Sequence, residues 1–268
     1  MATSFKTTGP RLLTGPEASA KLKSWSFSRY SKYRECPLAF KLSALDKIPE
    51  PKNAAMERGN LIHTTAEKYI KAEIPVKVPA ELSAFADLFK ELRKQYKSRV
   101  AGITVEDDWA LTKSWERTVW NDWNGCWVRI KLDCSGNENP DDLDITDWKT
   151  GKFREEKNEE YVEQLELYAL AGLLLHPHVK SVRPRLVYLD VPTVYPTPGL
   201  KRTPHSEPEK ELVYTRDDIP KLKKLWEKRV KPMFTDKRFA PKPNSNCVWC
   251  FYGQAGIAKK GGPGLCKF

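Results

Sequence analysis

The sequence predicts an α/β layer fold around a mixed sheet, and three observations lead there. Over about the first hundred residues the apolar side chains recur at helical spacing. The pattern then changes to short strand-like segments, three of them between about residues 103 and 148. An amphipathic helix and a further apolar strand follow.

Taken in order, a helix is expected from about Ser26 to Leu45. Ser26 or Ser28 can cap its start, and Pro37 either kinks or restarts it. Pro49 to Asn53 read as a loop. A second helix fits Met56 to Lys71, with Leu61, Ile62, Ala66, Tyr69 and Ile70 on one stripe, and a third fits Ala80 to Val100. Ile103 to Leu111, Trp127 to Cys134 and Leu143 to Trp148 read as strands, the last two joined by a turn from Gly136 to Pro140. A helix from about Glu159 to Leu175 precedes a strand from Val182 to Val191. Thr193 to Pro208 is read as an exposed loop and Glu211 to Thr215 as a short strand. Asp218 caps a helix to about Lys231, with Pro220 in its first turn. Phe234 to Phe268 shows little periodicity.

A chain of 268 residues can bury a full core. It carries 46 Lys and Arg against 35 Asp and Glu, a net charge of +11. That excess favours a polyanionic partner, nucleic acid ahead of an anionic membrane surface. No apolar run is long enough to span a bilayer, and Met1 to Ser24 is polar without the apolar stretch of a signal peptide. The expectation is therefore a soluble cytoplasmic protein, in a host's cytoplasm if the chain is viral. Six cysteines in a chain of this size do not suggest a secreted disulfide scaffold.

The most informative stretch runs from Leu143 to Lys152. Alternate residues of a strand point the same way, so Asp147 and Lys149 share one face, while Asp144 falls on the opposite parity. A carboxylate beside an ammonium group at a strand end suits a metal ion and a docked phosphate. Asp133 closes the preceding strand. If the two strands are neighbours, the two acids meet at one sheet end, as Mg²⁺ or Mn²⁺ would require. Gln164 and Tyr168 lie four apart on the next helix and share a face. His63, with Gly59 one turn before it, could complete a metal shell. Each also has an ordinary reading: a solvated turn acid, a core tyrosine with a surface glutamine, a structural histidine.

Cys247 and Cys250 form a CxxC, and Cys266 lies 16 residues further on, with Cys36 available as a fourth sulfur. Four thiolates suit an iron–sulfur cluster or a tetrahedral zinc, and reduced, unligated thiols are the alternative. Cys126 and Cys134 look like ordinary strand cysteines.

In order along the chain, these elements resemble the RecB-like branch of the PD-(D/E)XK nuclease superfamily. The likeness begins at Ser26-Phe27-Ser28 and Cys36-Pro37-Leu38-Ala39-Phe40. It continues through Gly59-x-x-x-His63, Asp133, Asp147-Trp148-Lys149-Thr150-Gly151 and Gln164-x-x-x-Tyr168. It ends with Phe239-x-Pro241-x-Pro243 and the following Cys247-x-x-Cys250. The resemblance implies a restriction-endonuclease-like core, a mixed central sheet flanked by helices, with N-terminal helices and a cysteine-bearing C-terminal segment. It implies a flexible lead-in over residues 1–25 and a nuclease core over 26–233. Residues 234–268 would pack back on the N-terminal helix.

The resemblance also implies roles. His63, Asp133 and Asp147 would ligate the metal with help from the backbone carbonyl of Trp148, and Lys149 would be the catalytic lysine. Gln164 and Tyr168 would support the site and contact DNA. Cys36, Cys247, Cys250 and Cys266 would hold a 4Fe-4S cluster, with Zn²⁺ as the alternative. One departure stands out, beside a variation that the branch accepts. Asp147 occupies a position where many members carry Glu. The interval from Cys250 to Cys266 is longer than usual and contains the basic Ala258-Lys259-Lys260-Gly261-Gly262, so either this insert loops out, where it could contact DNA, or Cys266 is not a ligand.

The activity implied is a Mg²⁺- or Mn²⁺-dependent DNA exonuclease acting on ends or single strands in recombination, repair or replication, and a partner protein of recombination or replication is a further expectation. The competing reading is a non-catalytic nucleic-acid-binding module with a structural metal cluster. In that reading the tryptophans, among them Trp109, Trp115, Trp120, Trp123 and Trp127, stack on unpaired bases rather than filling the core.

Overall fold

The computed structural model describes residues 11–98, 102–137, 139–191, 193–195 and 212–268. The helices are α1 (Gly15–Lys21), α2 (Phe27–Glu35), α3 (Pro37–Phe40), α4 (Ala54–Ile70), α5 (Ala86–Ser98), α6 (Asn158–Leu175), α7 (Ile219–Thr235) and α8 (Gln254–Lys260). The strands are β1 (Thr104–Leu111), β2 (Arg117–Thr118), β3 (Val128–Gly136), β4 (Asp142–Lys149), β5 (Ser181–Tyr188), β6 (Thr193–Tyr195) and β7 (Tyr214–Thr215). The chain divides into two compact units, residues 53–226 and residues up to 52 together with 227–268. This differs from the expected division, which kept everything from residue 26 to 233 with the sheet.

The unit of residues 53–226 is built on one sheet in the order β2-β1-β3-β4-β5-β6, with β7 also on β5. The β1–β3 and β3–β4 pairs are antiparallel, whereas β4 and β5 are parallel and joined through α6. This is the mixed sheet flanked by helices that the period changes predict. α6 is apolar nearly all round and accordingly buried, from Tyr161 and Leu165 to Leu173 and Leu175. α4 is capped by Asn53, whose side chain accepts the Met56 N–H. It packs with α5 over Tyr69, Phe89, Leu92, Val105 and Trp148. β6 falls inside the segment expected to be an exposed loop, most of which lies outside the described residues, as does Glu211 at the start of the short strand expected before α7.

In the other unit, the expectation of a flexible lead-in is corrected at α1. Thr14 and Glu17 form a reciprocal capping box there, and Ala18 is buried. Ser26 caps α2, and the chain restarts at Pro37, which heads α3 where a missing N–H costs nothing. A wide helical turn, Lys41–Leu45, follows. Phe40 stacks on Phe239, and Tyr33 donates to Asp236 at 2.9 Å, which ties the C-terminal segment to these helices. The basic insert is corrected too. Ala258 to Lys260 belong to α8, which ends at Gly261 in the left-handed conformation, so the stretch does not loop out.

Candidate active site

The site grows from the end of β4. Asp147 and Lys149 alternate along the strand, and Nζ of Lys149 lies 2.6 Å from Oδ2 of Asp147. The other oxygen, Oδ1, accepts the Tyr168 hydroxyl at 2.6 Å and faces Nε2 of Gln164 at 3.5 Å. Gln164 in turn donates to the Tyr168 hydroxyl at 2.7 Å, so the two residues one turn apart on α6 act as one support. Oδ2 of Asp147 is buried and accepts no hydrogen bond from the described residues, leaving only the nearby ammonium group. Asp144, on the opposite parity, is held by Arg183 through two bonds and plays no part here.

Asp133 and Asp147 come to stand side by side because β3 and β4 part company, although Asp147 is not among the residues whose ligand atoms lie within 4.8 Å of those of both His63 and Asp133. Their ladder runs through Gly136↔Asp144, Ser135↔Ile145 and Cys134↔Thr146, and it ends before the next pair, Asp133 and Asp147. In the gap, Oδ2 of Asp133 accepts the Trp148 N–H at 2.6 Å. Oδ1 of Asp133 lies 3.0 Å from Nδ1 of His63 on α4. What the structure shows of Trp148 is this N–H and a buried indole packed on Phe89. A Cβ added at Gly59, one turn before His63, would stand 3.1 Å from Oγ1 of Thr150, so the glycine lets α4 approach the turn after β4. Gly151 completes that turn with φ of 106°.

Electrostatically the site is strained toward excess negative charge. Asp133 and Asp147 are only 7 % and 6 % exposed. Burial first, then the charge of Asp147, raises the Asp133 carboxyl above its ordinary range, against the pull of His63 and the Trp148 N–H. Burial is the largest influence on His63 and would lower it. The hydrogen bond and charge of Asp133, with Asp147 and Glu106, outweigh this and raise the imidazole. Burial and then the charge of Asp147 drive the Tyr168 phenol well up, so it stays protonated and donates.

Glu106 is the residue the sequence reading missed. Its carboxylate joins His63 and Asp133 in a group whose ligand atoms all lie within 4.8 Å of one another, the one group of three such residues among those described. It stands opposite Asp133 in the β1–β3 register, between the pairs Val105↔Cys134 and Asp107↔Leu132, with φ of 55°. It is ion-paired with Lys131 at 2.8 Å. The available signal was the run of three acids, Glu106 to Asp108, within an apolar strand.

The four cysteines lie in the other unit, where all of them line one cavity of about 240 Å³. The Lys242 N–H donates to Sγ of Cys36 at 3.5 Å and the Asn244 N–H to Sγ of Cys247 at 3.4 Å. Burial raises the Cys250 thiol, Cys36 and Cys266 add to this, and the Tyr252 and Gly253 N–H groups oppose it. Cys266 returns to the group because its N–H bonds to the Tyr252 carbonyl and it bridges Gly253 once α8 has used up the long interval. Among the described residues, no three of these sulfurs lie within 4.8 Å of one another. Cys134 is a buried residue of β3, whereas Cys126, expected in a strand, is buried in the loop just before it, and burial pushes the Cys134 thiol up to about 12.

A family model described as the PD-(D/E)XK nuclease superfamily matches residues 24–125 and 129–255. Among solved structures, the chain is similar to a protein from Eubacterium rectale named a candidate exonuclease. The identity is 11 %, with 95 % of this chain and 94 % of that one covered and a TM-score of 0.47. It is also similar to the protein SSO0001, with 12 % identity, 86 % and 84 % coverage and a TM-score of 0.37. No curated protein matches the sequence.

Proposed function

This chain belongs to the PD-(D/E)XK nuclease superfamily, and we propose that it is a metal-dependent DNA exonuclease of the RecB-like branch, processing ends in recombination, repair or replication. The observation that carries this reading is that the buried carboxylates Asp133 and Asp147 stand side by side, with the Lys149 ammonium group 2.6 Å from Oδ2 of Asp147. Two buried carboxylates repel one another and any phosphate unless a cation lies between them. The donor set of a histidine and carboxylates suits Mn²⁺ or Mg²⁺.

In this reading His63, Asp133 and Asp147 would hold the ion, with help from the Trp148 carbonyl, and Glu106, grouped with His63 and Asp133, would be a further donor. The ion when bound supplies Lewis acidity toward a phosphodiester and favours ionisation of water. Tyr168 and Gln164 occupy Oδ1 of Asp147, so Oδ2, here paired with Lys149, is the oxygen that would face the ion. The Trp148 N–H holds the Asp133 carboxylate in orientation. The Lys149 ammonium group neutralises charge developing on phosphate and steadies the attacking water.

The cysteine cavity suits a 4Fe-4S cluster better than zinc. Four sulfurs on one tetrahedral zinc stand about 3.8 Å apart, given Zn–S bonds of about 2.3 Å. All four sulfurs line one cavity, no three of them within 4.8 Å of one another among the described residues, and backbone N–H groups point at Sγ of Cys36 and Cys247.

The test is cleavage of end-labelled linear single- and double-stranded DNA and of a closed circle with Mg²⁺ or Mn²⁺. Degradation of linear DNA alone, lost in Lys149→Ala while DNA binding persists, is the expected result. Cutting of the circle would make the enzyme an endonuclease. Full activity of Lys149→Ala would remove the assignment.

A further inference from the structure

We propose that the loop between β2 and β3 is a stacking platform for single-stranded DNA, feeding the strand toward Asp133. This rests on the nuclease reading above and adds the form of its substrate. The platform is built around Trp123, a tryptophan that is 74 % exposed. Of the tryptophans in this region, Trp109, Trp115 and Trp127 are buried in the core, and Trp120 is half-buried. Leaving an indole in water forgoes a large burial gain, so its presence on a surface calls for a use.

The loop is held in shape. Asp122 accepts the Thr118 hydroxyl at 2.7 Å and the Gly125 N–H at 2.8 Å, and these bonds keep its carboxyl below the ordinary range against its partial burial. The Arg129 guanidinium lies over both indoles, 5.8 Å from the Trp120 centroid and 5.3 Å from that of Trp123, and it donates to the Trp120 carbonyl at 3.0 Å. Trp123 is thus backed by a cation and still 74 % exposed.

The platform is continuous with the site. Lys131 follows Arg129 two residues along β3, so both project to one side of the paired strand. Lys131 pairs with Glu106 and is influenced by Asp133. Arg129 and Asp133 are about 13 Å apart along the strand, at about 3.3 Å per residue. An exposed ring, then two cations, then the paired carboxylates match a base followed by successive phosphates. Only an unpaired base can lie on the ring, because duplex bases are already stacked on each other.

Anisotropy of a labelled oligo(dT) and of a blunt duplex of equal length, in EDTA to prevent cleavage, tests this. Trp123→Ala should weaken oligo(dT) binding by about 5- to 150-fold, the range that loss of base stacking on one aromatic ring produces. Duplex binding should change little and Trp123→Phe should restore most of the affinity. Unchanged oligo(dT) binding, or equal losses for both DNAs, would overturn the platform. So would wild-type protein that binds the duplex more tightly than oligo(dT), a readout that does not depend on the variant folding. Wild-type protein that cleaves nothing with Mg²⁺ or Mn²⁺ would sink the nuclease reading alone, since the affinity ratio in EDTA stands apart from cleavage.

Discussion

The carboxylate of Asp133 accepts the backbone N–H of Trp148 at 2.6 Å, at the point where β3 and β4 stop pairing. One side-chain oxygen does what the neighbouring strand's carbonyl would otherwise do. The other is turned to His63, and Asp147 is brought alongside.

Asp133→Asn should abolish cleavage while leaving the metal-free fold at least as stable. The substitution removes one of two buried like charges, and an amide oxygen can still accept the Trp148 N–H. Thermal melts in EDTA and with Mn²⁺ check this. Wild-type Tm should rise with Mn²⁺ and the variant's should not. A Tm in EDTA many degrees below wild type would mean that the acid is structural.

Glu106→Gln should lower Mn²⁺ affinity about 10-fold or more, in line with losses seen when groups around a metal are altered. Its carboxylate is within 4.8 Å of the ligand atoms of His63 and Asp133. Calorimetric titration of Mn²⁺ reads this directly. Equal affinities would leave Glu106 as no more than the partner of Lys131.

Cys247→Ser should bleach a brown, anaerobically purified protein and lower its Tm, because a bound cluster supports only the folded state. The sulfur is one of four around the cavity that joins α2 and α3 to the C-terminal segment. A colourless wild type with stoichiometric zinc would replace the cluster by zinc. An unchanged Tm would show that the thiols carry no group.

His176 gives a pH dependence outside the site. Burial lowers its imidazole first, Arg117 and His178 lower it further, and Asp107 opposes them. Its Nε2 is buried without a hydrogen bond among the described residues, and the ring packs against Trp109. The unfolded chain therefore binds a proton more readily than the folded one, and this histidine's contribution is lost as pH falls below its ordinary value of 6.5. His176→Phe keeps the ring contact and should melt with a shallower loss of Tm below that pH than wild type. Parallel curves would refute the assignment.

Much of this was legible in the chain because it depends on local spacing. Asp147 with Lys149 follows from strand alternation, Gln164 with Tyr168 from a helical turn, and the mixed sheet from changes of period. α1 escaped notice because a seven-residue helix shows too few turns for a stripe, although its Thr14–Glu17 capping box is plain in hindsight.

Sequence alone therefore determined the residue types of the candidate site and their order, since residues two or four apart are placed by backbone geometry whatever the rest of the chain does. Tertiary structure decided what neighbours what across long separations. It ended the β3–β4 ladder so that Asp133 stands beside Asp147 unpaired by the ladder, and it turned Glu106 toward His63 through a left-handed backbone angle. It also folded α8 so that Cys266 returns to Cys36. Those outcomes depend on where strands cease to pair and how a long interval is taken up, and packing between distant segments sets both.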